Sequence, residues 1–282
     1  MRESGRCVRL RERGDKENIT MFKAKTPHIE SVAKQESFRS AIEKLEKVFV
    51  GTTNVYIDFA NVRPWSEKLG WHISPKRLKQ FLESFEGMGS IKWYQGELLG
   101  DSRSASDIKR LRDCKYDVRT KPVKIIRLSV DVSSISMQSP DLLKKFVRTA
   151  LLRKYDIETV EFLNQKFKEM NVRGIHFIED RKCNFDVEIG TDMRVDHLTD
   201  GVDTFVLWSG DSDFADPIKQ LISEGKRVIL FATAGRVARE LNDLVPEGLF
   251  IFDIFELRNM ICWKGEEILN STKDPISGAP QL

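Results

Sequence analysis

Short apolar runs of strand length alternate with segments of helical pattern through most of this 282-residue chain, and that alternation limits the fold more than any other feature. Thr53 to Phe59 (TNVYIDF), Ser90 to Leu98, Thr204 to Trp208, Arg227 to Ala232 and Leu249 to Phe252 read as buried strands, with Gly174 to Ile178 as a further one. Helical patterns lie between them. Ser74 to Phe85 carries Ser74 as a cap and Pro75 at its first position. Asp101 to Asp113, Asn184 to Asp196, Pro217 to Glu224 and Val237 to Leu244 also read as helices. Tyr116 to Arg127 is extended, and Pro122 within it argues for a sheet edge or a strand end. Strands and helices taken in turn with short connections predict an α/β fold with a mostly parallel, helix-covered central sheet.

The flanks read differently. Residues 1–35 form a basic leader without apolar periodicity, expected to be flexible. Residues 36–49 then carry Phe38, Ile42, Leu45 and Val48 on one face of an amphipathic helix. Residues 128 to 140 are Ser-rich and predict a loop, and two helical stretches, Pro140 to Lys154 and Ile157 to Met170, form an insert over about 140–170. Residues 50–263 are expected to be one domain. The polar, Pro/Gly-bearing tail, 264–282, predicts disorder.

Composition narrows the function classes only slightly. Hydrophobic residues make up 40% of the chain, enough for one sizeable core. No apolar run approaches the ~18 residues that would span a bilayer, so no membrane segment is expected. Met1 to Asp15 lacks a secretory apolar stretch. It is Arg-rich like a transit peptide, but Glu3, Glu12 and Asp15 weaken that reading. Cys7, Cys114, Cys183 and Cys262 are far apart and make no CxxC or Cys/His cluster, which argues against zinc and disulfides and fits a reducing cytoplasm. The net charge of +3, from 46 basic and 43 acidic residues, leaves any nucleic-acid attraction to a local patch.

Ligands of an open parallel sheet bind beyond the carboxyl ends of its strands, so strands that end in reactive side chains matter most. Val55-Tyr56-Ile57-Asp58-Phe59-Ala60-Asn61 ends an apolar run in a carboxylate, with an amide three residues on. Asp58 there is costly to desolvate unless compensated, and a turn cap is the plainer alternative. Phe205-Val206-Leu207-Trp208-Ser209-Gly210-Asp211-Ser212-Asp213-Phe214 ends in two carboxylates one residue apart. Gly210 permits a sharp turn, while Asp213 or Asp216 could simply cap the next helix. A third segment, Asp186-Val187-Glu188-Ile189-Gly190-Thr191-Asp192-Met193, places Asp186 at a helix start. There Asp192 and Asp196 share a face and read as solvated charges.

Taken together, several carboxylates without Cys/His spacing suit Mg²⁺ or Mn²⁺ rather than zinc. Neither a GxxxxGK[ST] phosphate loop nor a GxSxG elbow is present. Metal-assisted chemistry on phosphoesters is what remains.

These segments resemble the NYN family, a branch of the PIN-like nuclease superfamily. VYIDFAN resembles its first-strand motif, FDVEIGTDM its helix motif with two Asp six residues apart, and FVLWSGDSDFADPIKQL its Ser-Gly-Asp-Ser-Asp-Phe turn, with KRVILF as the strand after it. The resemblance implies a Rossmann-like PIN fold. It also implies hydrolysis of RNA, or less often DNA, with Mg²⁺ or Mn²⁺, giving a 5′-phosphate and a 3′-hydroxyl. It makes Asp58, Asp186, Asp211 and Asp213 the metal-binding, catalytic acids, with Asn61, Asp192 and Ser209 in support. Lys182 corresponds to a basic residue before the helix motif. Phe59-Ala60 departs from the family's usual Gly and larger or acidic residue, and the insert exceeds a minimal domain. Lys121, Lys124 and Arg127, or Arg236 and Arg239, are candidate contacts to a nucleic-acid backbone. An RNA-binding or assembly module without turnover and a small-molecule phosphatase are the alternatives. The insert also leaves a homodimer open.

Overall fold

The computed structural model describes residues 21–233 and 236–262. The expected leader up to residue 20 and the expected tail lie outside the described residues. In chain order the elements are α1 (Pro27–Ala33), α2 (Glu36–Val48), β1 (Thr53–Asp58), α3 (Phe59–Leu69), α4 (Pro75–Leu82), β2 (Met88–Glu97), α5 (Ser102–Asp113) and β3 (Asp117–Pro122). Next come β4 (Lys124–Ser129), α6 (Thr149–Leu152), α7 (Ile157–Val172), β5 (Phe177–Lys182) and α8 (Asp186–Thr199). The chain continues with β6 (Thr204–Trp208), α9 (Ala215–Ser223), β7 (Arg227–Ala232), α10 (Arg239–Asn242), β8 (Phe250–Asp253) and α11 (Arg258–Ile261). Short 3₁₀ turns at Leu143–Lys145, Ser212–Phe214, Val245–Glu247 and Ile254–Leu257 complete the path.

Six strands form the central sheet in the order β3-β2-β1-β6-β7-β8, and β1 pairs in parallel with both β2 and β6. The pairs β6–β7 and β7–β8 are parallel too. Every residue of β1 and β6 is buried, as is all of β7 after Arg227. That is why these segments appear in the sequence as mainly apolar runs rather than strictly alternating ones: helices cover both faces of a parallel sheet. Ser74 accepts from the Arg77 N–H at 3.3 Å and Pro75 opens α4, as the cap pattern predicts. β3 is an edge strand and ends at Pro122, which cannot donate to a ladder. After β1 the chain adds β2 and β3 on one side, and β6, β7 and β8 on the other. The order therefore reverses between β1 and β6, and the crevice beyond their carboxyl ends is the natural ligand position.

Several expectations need correction. Residues 21–35 are not featureless: Thr26 caps α1, whose Ile29 is wholly buried. Among the described residues, the region expected as one domain divides into two compact units, the first holding 21–95, 105–120, 185–233 and 236–262, the second 96–104 and 121–184. In the second unit β4 and β5 make a separate antiparallel pair, with Lys124 opposite Lys182 and Ser129 opposite Phe177. The extended stretch Tyr116 to Arg127 is thus shared between two sheets, and β5 begins later than the strand expected at Gly174. A left-handed Gly174 (φ 81°) lies just past the end of α7 and delays it. The helix expected over Pro140 to Lys154 is a 3₁₀ turn and the single turn α6, separated by Arg148 in an extended conformation (ψ 134°). Of the helix expected at Val237 to Leu244, only α10 is regular.

Candidate metal centre

Three of the four expected acids converge in the first unit. One carboxylate oxygen from each of Asp186, Asp211 and Asp213 lies within 4.8 Å of the others. Asp186 opens α8, where the unpaired N–H groups of the first turn favour negative charge. Asp211 follows β6 and caps the 3₁₀ turn, its Oδ1 accepting from the Asp213 N–H at 3.2 Å. Buried Phe214 anchors the far side of this turn. Neither Asp213 nor Asp216 caps α9, whose N-cap position is Phe214. Among the described residues neither Asp211 nor Asp213 makes an ion pair with a basic side chain. Carboxylates held this close repel each other through water and more strongly through protein. An oxygen-only set of this kind fits a hard divalent cation such as Mg²⁺ or Mn²⁺.

Asp58 stands behind the trio rather than in it. It is 2% exposed and caps α3, accepting from the Asn61 N–H at 3.4 Å. Ser209 joins it to the cluster: the hydroxyl donates to Asp58 Oδ2 at 3.1 Å and accepts from the Asp211 N–H at 3.3 Å. Burial pushes the Asp58 carboxyl above the usual range, the hydrogen bonds from Ser209 and Asn61 oppose that rise, and the Asp211 charge adds to it. Gly210 is required by space. A Cβ there would sit 2.7 Å from the Arg236 carbonyl oxygen, and its own carbonyl accepts from Ala238 N–H at 3.2 Å. Asn61, Ser209, Gly210, Thr233 and Arg236 line a small depression at this place.

Asp192 is outside the cluster. Its carboxylate accepts from the Tyr94 hydroxyl at 2.7 Å, with Arg119 Nε at 3.5 Å and Lys92 Nζ at 4.0 Å. Asp196, one turn further along α8, is 3% exposed, so the expectation of a solvated charge is wrong. It accepts from Lys92 Nζ at 2.7 and 2.8 Å, from Asn54 Nδ2 at 2.9 Å and from the Tyr56 hydroxyl. Burial, then the bond to Asp196, pushes the Tyr56 hydroxyl far above its ordinary pKa and keeps it a donor. Burial does the same to Tyr94, beside Asp192. This network fastens α8, and with it Asp186, to β1 and β2. Sequence reasoning missed it, although Asp196 continues the buried stripe of Ile189 and Met193.

The expected backbone contacts fall in both units. Lys121, Lys124, Arg127 and Lys182 belong to the second unit, where Arg127 faces Glu179 across the β4–β5 pair and Lys182 lies 3.5 Å from Asp180. Arg236 belongs to the first unit, beside Gly210. Arg239 is a surface side chain 3.7 Å from Asp243. Among the described residues no helix is long and apolar enough to cross a membrane.

A parallel α/β sheet whose reversal point presents clustered aspartates defines the class of PIN-like folds. The NYN domain matches residues 52–251, and the chain belongs to that family. A protein of unknown function, VPA0982 from Vibrio parahaemolyticus RIMD 2210633, is similar in crystal structure at 16% identity and a TM-score of 0.43, over 72% of this chain and 93% of that one. Among curated proteins there is no match.

Proposed function

We propose that the protein is a metal-dependent nuclease that hydrolyses RNA phosphodiesters, with Asp186, Asp211 and Asp213 holding Mg²⁺ or Mn²⁺. The convergence of these three carboxylates at the sheet's reversal point carries the reading. A cation bound there supplies charge neutralisation for a phosphate and acidifies a coordinated water. The chain's own residues do the rest. The start of α8 and the Gly210 turn fix the positions of the carboxylates in advance, so little reorganisation accompanies phosphate binding. Asp58 braces that turn through Ser209 and, when ionised, adds to its negative field. Asn61 steadies Asp58, and Asp192 holds α8. Arg236, whose backbone carbonyl adjoins the Gly210 turn, is the candidate contact for a backbone phosphate.

The test is cleavage of end-labelled single-stranded RNA with Mn²⁺, Mg²⁺ or EDTA, comparing wild type with Asp211→Asn. Metal-dependent products ending in a 5′-phosphate, absent in the variant, are expected. Cleavage that survives EDTA or the substitution would sink the assignment.

A further inference from the structure

In the second unit the chain between Asp141 and Asp156 contains no acidic residue, yet it carries Lys144, Lys145, Arg148, Arg153 and Lys154. The segment is firmly placed. Leu142 and Leu143 are buried, and wholly buried Asn164 on α7 donates to the carbonyls of Met137 and Ser139, both at 2.8 Å, pinning the approach to it. All five cations are exposed. Lys144 pairs with Asp141 at 2.5 Å, whereas Lys145, Arg148, Arg153 and Lys154 have no ion pair among the described residues. Exposed aromatic surface is interleaved with them. Phe146 is 36% exposed and stacks on Phe167 of α7, ring centres 5.9 Å apart and 25° between planes. Tyr155, at the end of the segment, is 42% exposed.

Unpaired cations repel one another and exposed rings forgo burial, so neither feature stabilises the unit. Both suit a partner that brings regularly spaced negative charge and flat apolar faces. A single nucleic-acid strand brings both; a duplex hides its base faces by stacking them. An acidic bilayer fits less well. α6 is one helical turn, too short to lay an amphipathic face into lipid. The exposed acids Asp141, Asp156 and Glu158 bound the positive run of sequence at its two ends, which limits its extent along the chain.

We infer that Lys144–Tyr155 is a docking strip for single-stranded RNA, in which Lys145, Arg148, Arg153 and Lys154 take backbone phosphates and Phe146 and Tyr155 take bases. The choice of RNA rests on the nuclease reading; the choice of an unpaired strand does not. The test is fluorescence anisotropy of the full chain with labelled single-stranded RNA in EDTA, where cleavage cannot intervene. Wild type is compared with the fourfold variant Lys145→Ala, Arg148→Ala, Arg153→Ala and Lys154→Ala, and separately with Tyr155→Ala, each checked for unchanged circular dichroism. Each lost phosphate contact removes about 0.7 from the slope of log affinity against log salt, so the fourfold variant should be shallower by about 3. Its affinity should fall more than about tenfold at about 100 mM salt. Tyr155→Ala should weaken binding with the slope unchanged.

Equal affinity and slope in the fourfold variant would overturn the proposal. So would equal binding of a duplex of the same length, capture by acidic vesicles in place of RNA, or no RNA binding by wild type. The two readings fail separately. Strong binding in EDTA without cleavage in Mn²⁺ would refute the nuclease and keep the strip, whereas cleavage with a fourfold variant that binds like wild type would do the reverse.

Discussion

Replacing Asp196 with alanine tests how α8 is held, and the structure sets the size of the effect. The Lys92 and Asp196 side chains are 7% and 5% exposed, and the carboxylate also accepts from Asn54 and Tyr56. Asp196→Ala leaves a buried ammonium with only the Asp192 carboxylate, 4.0 Å away, and strands two buried donors. Removing one member of a buried ion pair costs about 3–5 kcal/mol, a large share of the roughly 5–15 kcal/mol that holds a domain together. The double variant Lys92→Met, Asp196→Leu removes both charges and keeps the volume. Its cost should be smaller than that of Asp196→Ala, because the Asn54 and Tyr56 donors, about 1–3 kcal/mol each, are stranded in both variants while no charge is left unpaired. Urea unfolding of Lys92→Met, Asp196→Leu and the double variant gives the coupling directly, with Asp196→Ala measured beside them. Asp196→Ala should be less stable than the double variant. Strict additivity, or a loss below about 1 kcal/mol in Asp196→Ala, would refute the idea that this pair fastens the helix carrying Asp186.

Gly210→Ala should place a methyl group against the Arg236 carbonyl and destabilise the folded chain by about 1–3 kcal/mol in the same unfolding assay; a neutral substitution would show that the turn has room. Asp213→Asn should stabilise the metal-free protein by about 1 kcal/mol, because like charges within 4.8 Å cost about that much even in water. Saturating Mn²⁺ should then raise the wild-type Tm more than the variant's, and equal shifts would refute a shared cation site. Asp58, whose carboxyl is raised by burial, gives a pH signature in EDTA. The folded state keeps a proton that the unfolded chain has already released, so stability is fully present below the ordinary carboxylate pKa and is lost as pH rises through the raised value. Asp58→Asn should remove that step, and an identical pH profile would contradict it.

Much of the central sheet is legible in the sequence because strands covered on both faces are mostly apolar, with few polar positions. The Thr204–Trp208 and Arg227–Ala232 runs coincide with β6 and β7 for this reason. The Ser-Gly-Asp-Ser-Asp-Phe turn is legible too: a glycine, a capping acid and an apolar anchor occur together within six residues. Sheet membership is not written locally. Nothing in Lys124–Ser129 says that it pairs with Phe177–Lys182 instead of extending the central sheet. Asp58 and Asp211 look equivalent as strand-end acids, and only the folded chain inserts the Ser209 hydroxyl between them. The Lys92–Asp196 pair joins residues 104 positions apart, so its two halves read separately as a lysine in an apolar strand and an acid on a helix.

Mn²⁺ titration by calorimetry of wild type and Asp211→Asn measures the cation site itself, without assuming a substrate. Asparagine caps helical turns as well as aspartate, so the variant should keep its fold, which circular dichroism checks. The account predicts saturable binding to wild type, weakened at least about tenfold by loss of one charged ligand. Equal binding by both proteins, or none by wild type, would contradict the assignment of Asp186, Asp211 and Asp213 as a metal centre.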